Sequence, residues 1–456
     1  MMSWAERNTQ YFCFLVGLLC AIPFVFLTPP FQVPDEPQHF FRAYQISEGQ
    51  FHAAVENHAA GGVLPSSLIE LSSKFLGSRA IHADRALVKQ SWQDFSAGFN
   101  FPLDPEKREF IDFSGAASYS PLVYFPQSTA ILIGRLAGAR PLTLVYMGRL
   151  ANAMVAILFI SFAVHFSPLS KPGFMASALL PMSLYLVASL SPDAFVISSV
   201  FLYTSIAFKA YVAKMWTTFD VIVAMLCAVV FCSVKAVYAP LLFIAFPAII
   251  GSRDKKMQVA VQCLLVILPI CITAIWLHAV SDLIVPVRHG TNVAAQLHHV
   301  ITNPAWFAKA MVYGFMKNDY YFFTLIGMLG WLNLKLSIAG YVIPLIAFLI
   351  SIFSDEKIKS SPLNVAPVWW LALAGAGMTL VMLALYLYWT PVGAYVVEGV
   401  QGRYFIPLLP LVAAGLAQMA PRVRFSVGQA LVWVGLLGLA ESLLTYGTLL
   451  HAYWGF

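Results

Sequence analysis

Two carboxylates, a histidine and an arginine crowd into eight residues, Asp35-Glu36-Pro37-Gln38-His39-Phe40-Phe41-Arg42, just after the first long apolar run of the chain. An ionised carboxylate is the simplest general base for an attacking hydroxyl that must lose its proton, and an arginine nearby can hold an anion. Pro34 and Pro37 restrict the backbone on either side of the carboxylates. A helix starting at Pro37 is capped by Glu36 and puts Gln38, Arg42 and Gln45 on one face at i, i+4 and i+7, with His39 on a neighbouring stripe. The spacing by itself fits a solvated N-cap at a membrane interface equally well.

Further candidates are scattered along the chain. Arg403 carries a guanidinium fork that matches phosphate, and Gly402 beside it permits close backbone approach to a ligand; the alternative is an arginine snorkelling at the interface. Lys235 sits amid Phe231-Cys232-Ser233-Val234 and Ala236-Val237-Tyr238, where a lysine is costly unless it pairs or reaches water. Asp193 follows Pro192 and opens an apolar helix, so it is either a cap on the helix dipole or a carboxylate that positions a metal or an acceptor. Glu441 is the only acidic residue well inside an expected span, and no sequence neighbour offers itself as a partner. His298-His299 and residues 282–289 lack the spacing of a metal site.

The elements that must position these groups are membrane helices. Of the 456 residues 60% are hydrophobic and only 11% charged, against about a quarter charged in soluble domains, which excludes an ordinary soluble composition. Runs 11–30, 257–280 and 366–390 carry no charge and are long enough to cross about 30 Å of hydrocarbon. The first run lacks a convincing cleavage site and reads as a retained span. The six cysteines all lie in apolar runs and read as small core hydrophobes, and the net charge of +6 reads as loop bias, with no nucleic-acid footprint.

Residues 31–120 form the largest polar insertion, with eleven of the 21 acidic residues, seven basic residues and four of the ten histidines. Its negative balance places it outside the cytoplasm, whereas Arg253-Asp254-Lys255-Lys256, the 355–359 run and Arg422-Val423-Arg424 mark the cytoplasmic side. Alternation then predicts an all-α membrane protein of about eleven full spans (10–13), with residues 31–120 forming interfacial helices and 281–335 a second outer segment. Parity leaves 121–137 as a re-entrant or interfacial helix, 173–190 and 404–420 as single spans, and 216–251 as two short ones. Pro23, Pro181, Pro240 and Pro344 should kink their helices, and no internal repeat is visible.

The run Pro34-Asp35-Glu36-Pro37-Gln38-His39-Phe40-Phe41-Arg42-Ala43-Tyr44-Gln45-Ile46-Ser47-Glu48-Gly49 is one of four segments that together resemble a bacterial family of multispanning membrane proteins of unknown function. The others are Ser118-Tyr119-Ser120-Pro121-Leu122-Val123-Tyr124, Ser191-Pro192-Asp193 and Gln401-Gly402-Arg403-Tyr404-Phe405-Ile406-Pro407. The match runs in order over most of the chain, and that family in turn resembles the GT-C glycosyltransferases in layout.

The resemblance implies a GT-C-like inverting transferase in the bacterial inner membrane, with the N-terminus in the cytoplasm and the site outside. It would move a sugar from a polyprenyl-phosphate donor to a glycan or lipid acceptor. Asp35 or Glu36 then corresponds to the catalytic base, and Asp193 to the second acidic residue of such enzymes. Arg403, Lys235 and Arg42 would face the departing phosphate, while His39, Tyr119 and Tyr404 complete the substrate-contacting set. The resemblance fixes no cofactor and leaves a divalent metal open. The alternatives are a flippase for lipid-linked glycans, which would use intramembrane charges such as Lys235 and Glu441, and an outer-face ligase or polymerase, whose donor would be a polyprenyl-diphosphate oligosaccharide.

Overall fold

The computed structural model describes residues 2–77, 88–283, 290–354, 365–421 and 425–456. Among the described residues six helices are long and apolar enough to cross a membrane: α1 (Thr9–Leu27), α4 (Pro141–Phe166), α7 (Asp193–Ala213), α9 (Lys255–Ala279), α12 (Ala366–Tyr388) and α14, which with its terminal turn covers Val427–Trp454. Shorter apolar helices α8 (Thr218–Cys232) and α11 (Ile338–Ser354) stand beside them. Helix α4 packs against both α1 and α7, and α14 packs on α11 and α1, so the two ends of the chain share one bundle.

Proline decides where expected spans break. The 173–190 segment is two helices, α5 (Lys171–Ala178) and α6 (Pro181–Val187), because the Pro181 ring forces Leu180 out of the helical region to φ −58, ψ 137. Residues 236–251 wind as two 3-10 segments, Ala236–Phe243 and Phe246–Gly251, with Pro240 and Pro247 denying α-helical donors. The 404–420 segment likewise opens as a 3-10 turn, Gly402–Leu408, and becomes helix α13 only at Leu409–Met419. Segment 121–137 is a 3-10 turn followed by α3 (Phe125–Leu136), whose 12 residues rise about 18 Å, well short of the hydrocarbon thickness.

The loop expected as interfacial helices also holds a sheet. Helix α2 (Glu36–Ser47) is followed by an antiparallel sheet of β1 (Ala54–Glu56), β2 (Ala59–Pro65) and β3 (Arg108–Asp112), in order β1-β2-β3. Asn57 and His58, at φ 47 and 63, make the two-residue turn whose twist suits a tight hairpin, with Glu56 opposite Ala59. Gly61 lets the strands meet, since a Cβ there would stand 2.1 Å from the Ile111 carbonyl oxygen. Glu48 at the end of α2 receives the Arg108 fork at 3.1 and 2.6 Å and Arg135 of α3 at 3.2 Å, which fastens the cap to the bundle.

The 281–335 segment contributes helices Val293–Thr302 and Pro304–Lys317, then α10 (Tyr320–Ile326). The basic markers 355–359 and 422–424, and most of 282–289, lie outside the described residues. Cys13, Cys20, Cys227 and Cys232 are buried, whereas Cys263 and Cys271 are exposed on the face of α9.

Candidate active site

The chain leaves α1 through Pro29 and Pro30 and turns sharply, with Phe31 and Asp35 both in the left-handed region at φ 65 and 63. Non-glycine residues held there cost about 1–3 kcal/mol unless their surroundings fix them. The fixing group is Glu36, next in sequence. Its carboxylate accepts from Arg149 Nε at 2.8 Å and Nη2 at 2.6 Å, from Phe31 N at 2.9 Å and from Leu190 N at 3.2 Å. Arg149 also donates to the carbonyls of Val25, Thr28 and Pro29, closing the end of α1. Both side chains of this ion pair are fully buried, and protein donors engage the Glu36 carboxylate oxygens, so Glu36 serves the clamp.

Asp35 is placed differently. It precedes α2 but makes no side-chain capping bond, and its side chain is 44% exposed. Its Oδ2 lies 3.5 Å from Nη2 of Arg403, a side chain only 5% exposed. Arg403 Nε donates to Gln401 Oε1 at 2.6 Å, and its guanidinium sits 5.4 Å from the Tyr404 ring centre. The start and the far end of the sequence therefore meet at one carboxylate–guanidinium contact.

Gly402 has a role other than the expected approach to a ligand. A Cβ there would lie 1.9 Å from Tyr321 O and 2.4 Å from Leu325 N, so the glycine lets the arginine-bearing turn press on the backbone of α10. Gly402 N donates to Thr324 Oγ1 at 2.7 Å, which holds that contact.

Asp193, the first residue of α7, is ion-paired with Lys235, the residue before the first 3-10 segment. Lys235 Nζ lies 5.1 Å from the Tyr404 ring centre, and Tyr238 Oη donates to Tyr404 O at 2.7 Å. Tyr404 thus stands between Arg403 and Lys235, and each cation has an acidic partner.

On α2, His39 Nδ1 and Tyr124 Oη are 2.9 Å apart, and the His39 ring stacks near Tyr119 with centroids 6.1 Å apart. Burial pushes the His39 pKa down to about 4, partly offset by the nearby carboxylates of Asp35 and Asp193. The ring is therefore neutral at ordinary pH. Arg42, fully buried, bonds Gln45 Oε1, Phe51 O at 2.7 Å and Tyr119 O at 3.5 Å. Burial lowers its pKa to about 10, which leaves it cationic, and among the described residues no carboxylate pairs with it.

Asp35, His39, Arg42, Tyr119, Asp193, Lys235, Arg403 and Tyr404 thus belong to one neighbourhood, while Glu36 lies behind it in the Arg149 clamp. Sequence reasoning missed Arg149 and gave no role to Tyr124 and Gln401, although both lie in the quoted segments. Arg149 had a signal: it is the one Asp, Glu, Lys or Arg of the 26-residue apolar helix α4, and a charged group in a span needs a partner. Among the described residues no three His, Cys, Asp or Glu side chains gather into a metal cluster, and Glu441, buried and bonded to Thr445, stands outside the site.

A helical membrane protein with a polar site built at one end of its bundle is the class that this fold and site define. The chain belongs to the family described as "Predicted membrane protein (DUF2142)", whose profile matches residues 18–412. Searches of curated proteins and of solved structures return no match.

Proposed function

We propose that this protein is a GT-C-like inverting glycosyltransferase that moves a sugar from a polyprenyl-phosphate donor to a glycan or lipid acceptor. The observation that carries the reading is the half-exposed Asp35 carboxylate set against the buried Arg403 guanidinium. One is free to take a proton, and the other is fixed where negative charge can be met.

Charge balance around the site supports an anionic ligand. Glu36 and Arg149 cancel, which leaves Arg403, Lys235 and Arg42 against Asp35 and Asp193, one cation in excess. A phosphate removes that excess, and buried cations act on it far more strongly than they would in water.

In the reaction the acceptor oxygen attacks the anomeric carbon, its proton passes to an Asp35 carboxylate oxygen, and the bond from that carbon to the phosphate oxygen breaks with inversion. The electron pair leaves on the carrier phosphate. Donor phosphate competes with Asp35 for Arg403, which frees the carboxylate oxygens to accept from the acceptor hydroxyl. Asp193 holds Lys235 toward Tyr404, and neutral His39 sits with Tyr124 and Tyr119 within electrostatic reach of Asp35. The reading includes about eleven spans with the N-terminus in the cytoplasm of a bacterium and the site outside the inner membrane.

Sealed vesicles supplied with radiolabelled polyprenyl-phosphate sugars test this. A new glycosidic bond on an envelope acceptor supports a transferase; labelled lipid that crosses the bilayer with no such bond overturns it in favour of a flippase. Transfer only from diphosphate-linked oligosaccharides points to a ligase or polymerase.

A further inference from the structure

Gln32 lies three residues before Asp35, in the turn framed by the left-handed Phe31 and Asp35. Its backbone is held from several sides. Gln32 O accepts from Tyr185 Oη at 2.7 Å, that hydroxyl accepts from Gly330 N at 3.1 Å, and Trp331 Nε1 donates to Phe31 O at 3.2 Å. Its side chain is another matter. The residue is 1% exposed, yet neither Oε1 nor Nε2 has a hydrogen-bond partner among the described residues. A buried amide with both ends unpaired is destabilising, whereas leucine at that position would leave no polar group unmet. An amide there, three residues before the candidate base and in the same turn, calls for a ligand that satisfies both ends.

The chemistry of the two ends narrows the ligand. Nε2 only donates and Oε1 only accepts. A phosphate only accepts, so it would leave Oε1 unmet, and an isoprenoid chain would meet neither. Adjacent sugar hydroxyls each donate and accept, and they match both. We propose that the Gln32 amide binds the sugar hydroxyls of the donor and helps to set which sugar is transferred; this rests on the transferase reading above. The strained turn that presents Asp35 then also presents the group that recognises the sugar, so that base and specificity determinant share one rigid loop.

The test measures unfolding temperature of the purified protein in lipid nanodiscs, with undecaprenyl phosphate and with undecaprenyl phosphates bearing glucose, galactose, mannose or arabinose. For the wild type, bare carrier should raise the temperature, and at least one sugar-bearing carrier should raise it further. Gln32→Leu should melt no lower than wild type without ligand, keep the shift from bare carrier and lose the extra shift from the sugar. Gln32→Met, nearly the same shape, repeats the measurement if the leucine variant does not fold. If the variants keep the sugar-dependent increment, or if no sugar adds to the wild-type shift, the assignment of Gln32 is overturned and the amide serves a buried water. If the wild type responds to neither bare nor sugar-bearing carrier, the transferase reading falls as well.

Discussion

Arg403 Nη2 lies 3.5 Å from Asp35 Oδ2, joining the turn after the first apolar helix to the 3-10 turn that leads into α13. The guanidinium is anchored by Gln401 and flanked by Tyr404, so its orientation is set before any ligand arrives. Lysine would keep the charge but lose the fork. Arg403→Lys should therefore weaken use of the donor phosphate at least tenfold, read as a higher KM for the carrier-linked sugar with protein amounts matched.

Glu36 and Arg149 form a fully buried ion pair that closes α1 and fixes the turn bearing Asp35. Removing one partner strands the other charge, so Glu36→Gln should destabilise by about 3–5 kcal/mol, seen as a lower unfolding temperature in detergent. The double variant with Arg149→Met should recover part of that loss. Equal melting of Glu36→Gln and wild type would contradict the clamp.

Gly402 has no room for a methyl group, because backbone atoms of α10 lie 1.9 and 2.4 Å from where its Cβ would stand. Gly402→Ala should cost about 1–3 kcal/mol and displace the arginine-bearing turn. A thermal melt together with donor KM checks both effects.

His39 gives stability a pH dependence. Its folded pKa of about 4 lies below its ordinary value of 6.5, mainly through burial. Between those values the unfolded chain holds a proton that the folded one lacks, so stability falls as pH drops from 6.5 toward 4 and levels off below that. The contribution is about 3 kcal/mol at full size. His39→Gln should flatten that acid limb in unfolding experiments.

Much of the architecture is written in run lengths, because bilayer thickness sets how many charge-free residues a helix needs, and 257–280 and 366–390 meet that length directly. Where proline interrupts, length misleads: Leu180-Pro181 splits one expected span and Pro407 turns the start of another into a 3-10 segment. The hairpin at Asn57-His58 escaped notice because its strands are short and Gly61-Gly62 blurs their alternation. In the site, residue types were legible but partners were not. Nothing local shows that Glu36 meets Arg149 while Asp35 meets Arg403, since neighbours in sequence can face opposite sides once a left-handed residue turns the chain.

The central claim rests on Asp35 as base, and asparagine is the substitution that isolates it. Asparagine tolerates the left-handed conformation, and the Asp35 side chain makes no capping bond that its loss would break. The decisive measurement is the rate of sugar transfer from a labelled polyprenyl-phosphate donor in membranes carrying equal amounts of wild type and Asp35→Asn. The account predicts a fall of about 10²–10⁴-fold with folding intact; transfer at the wild-type rate would contradict it.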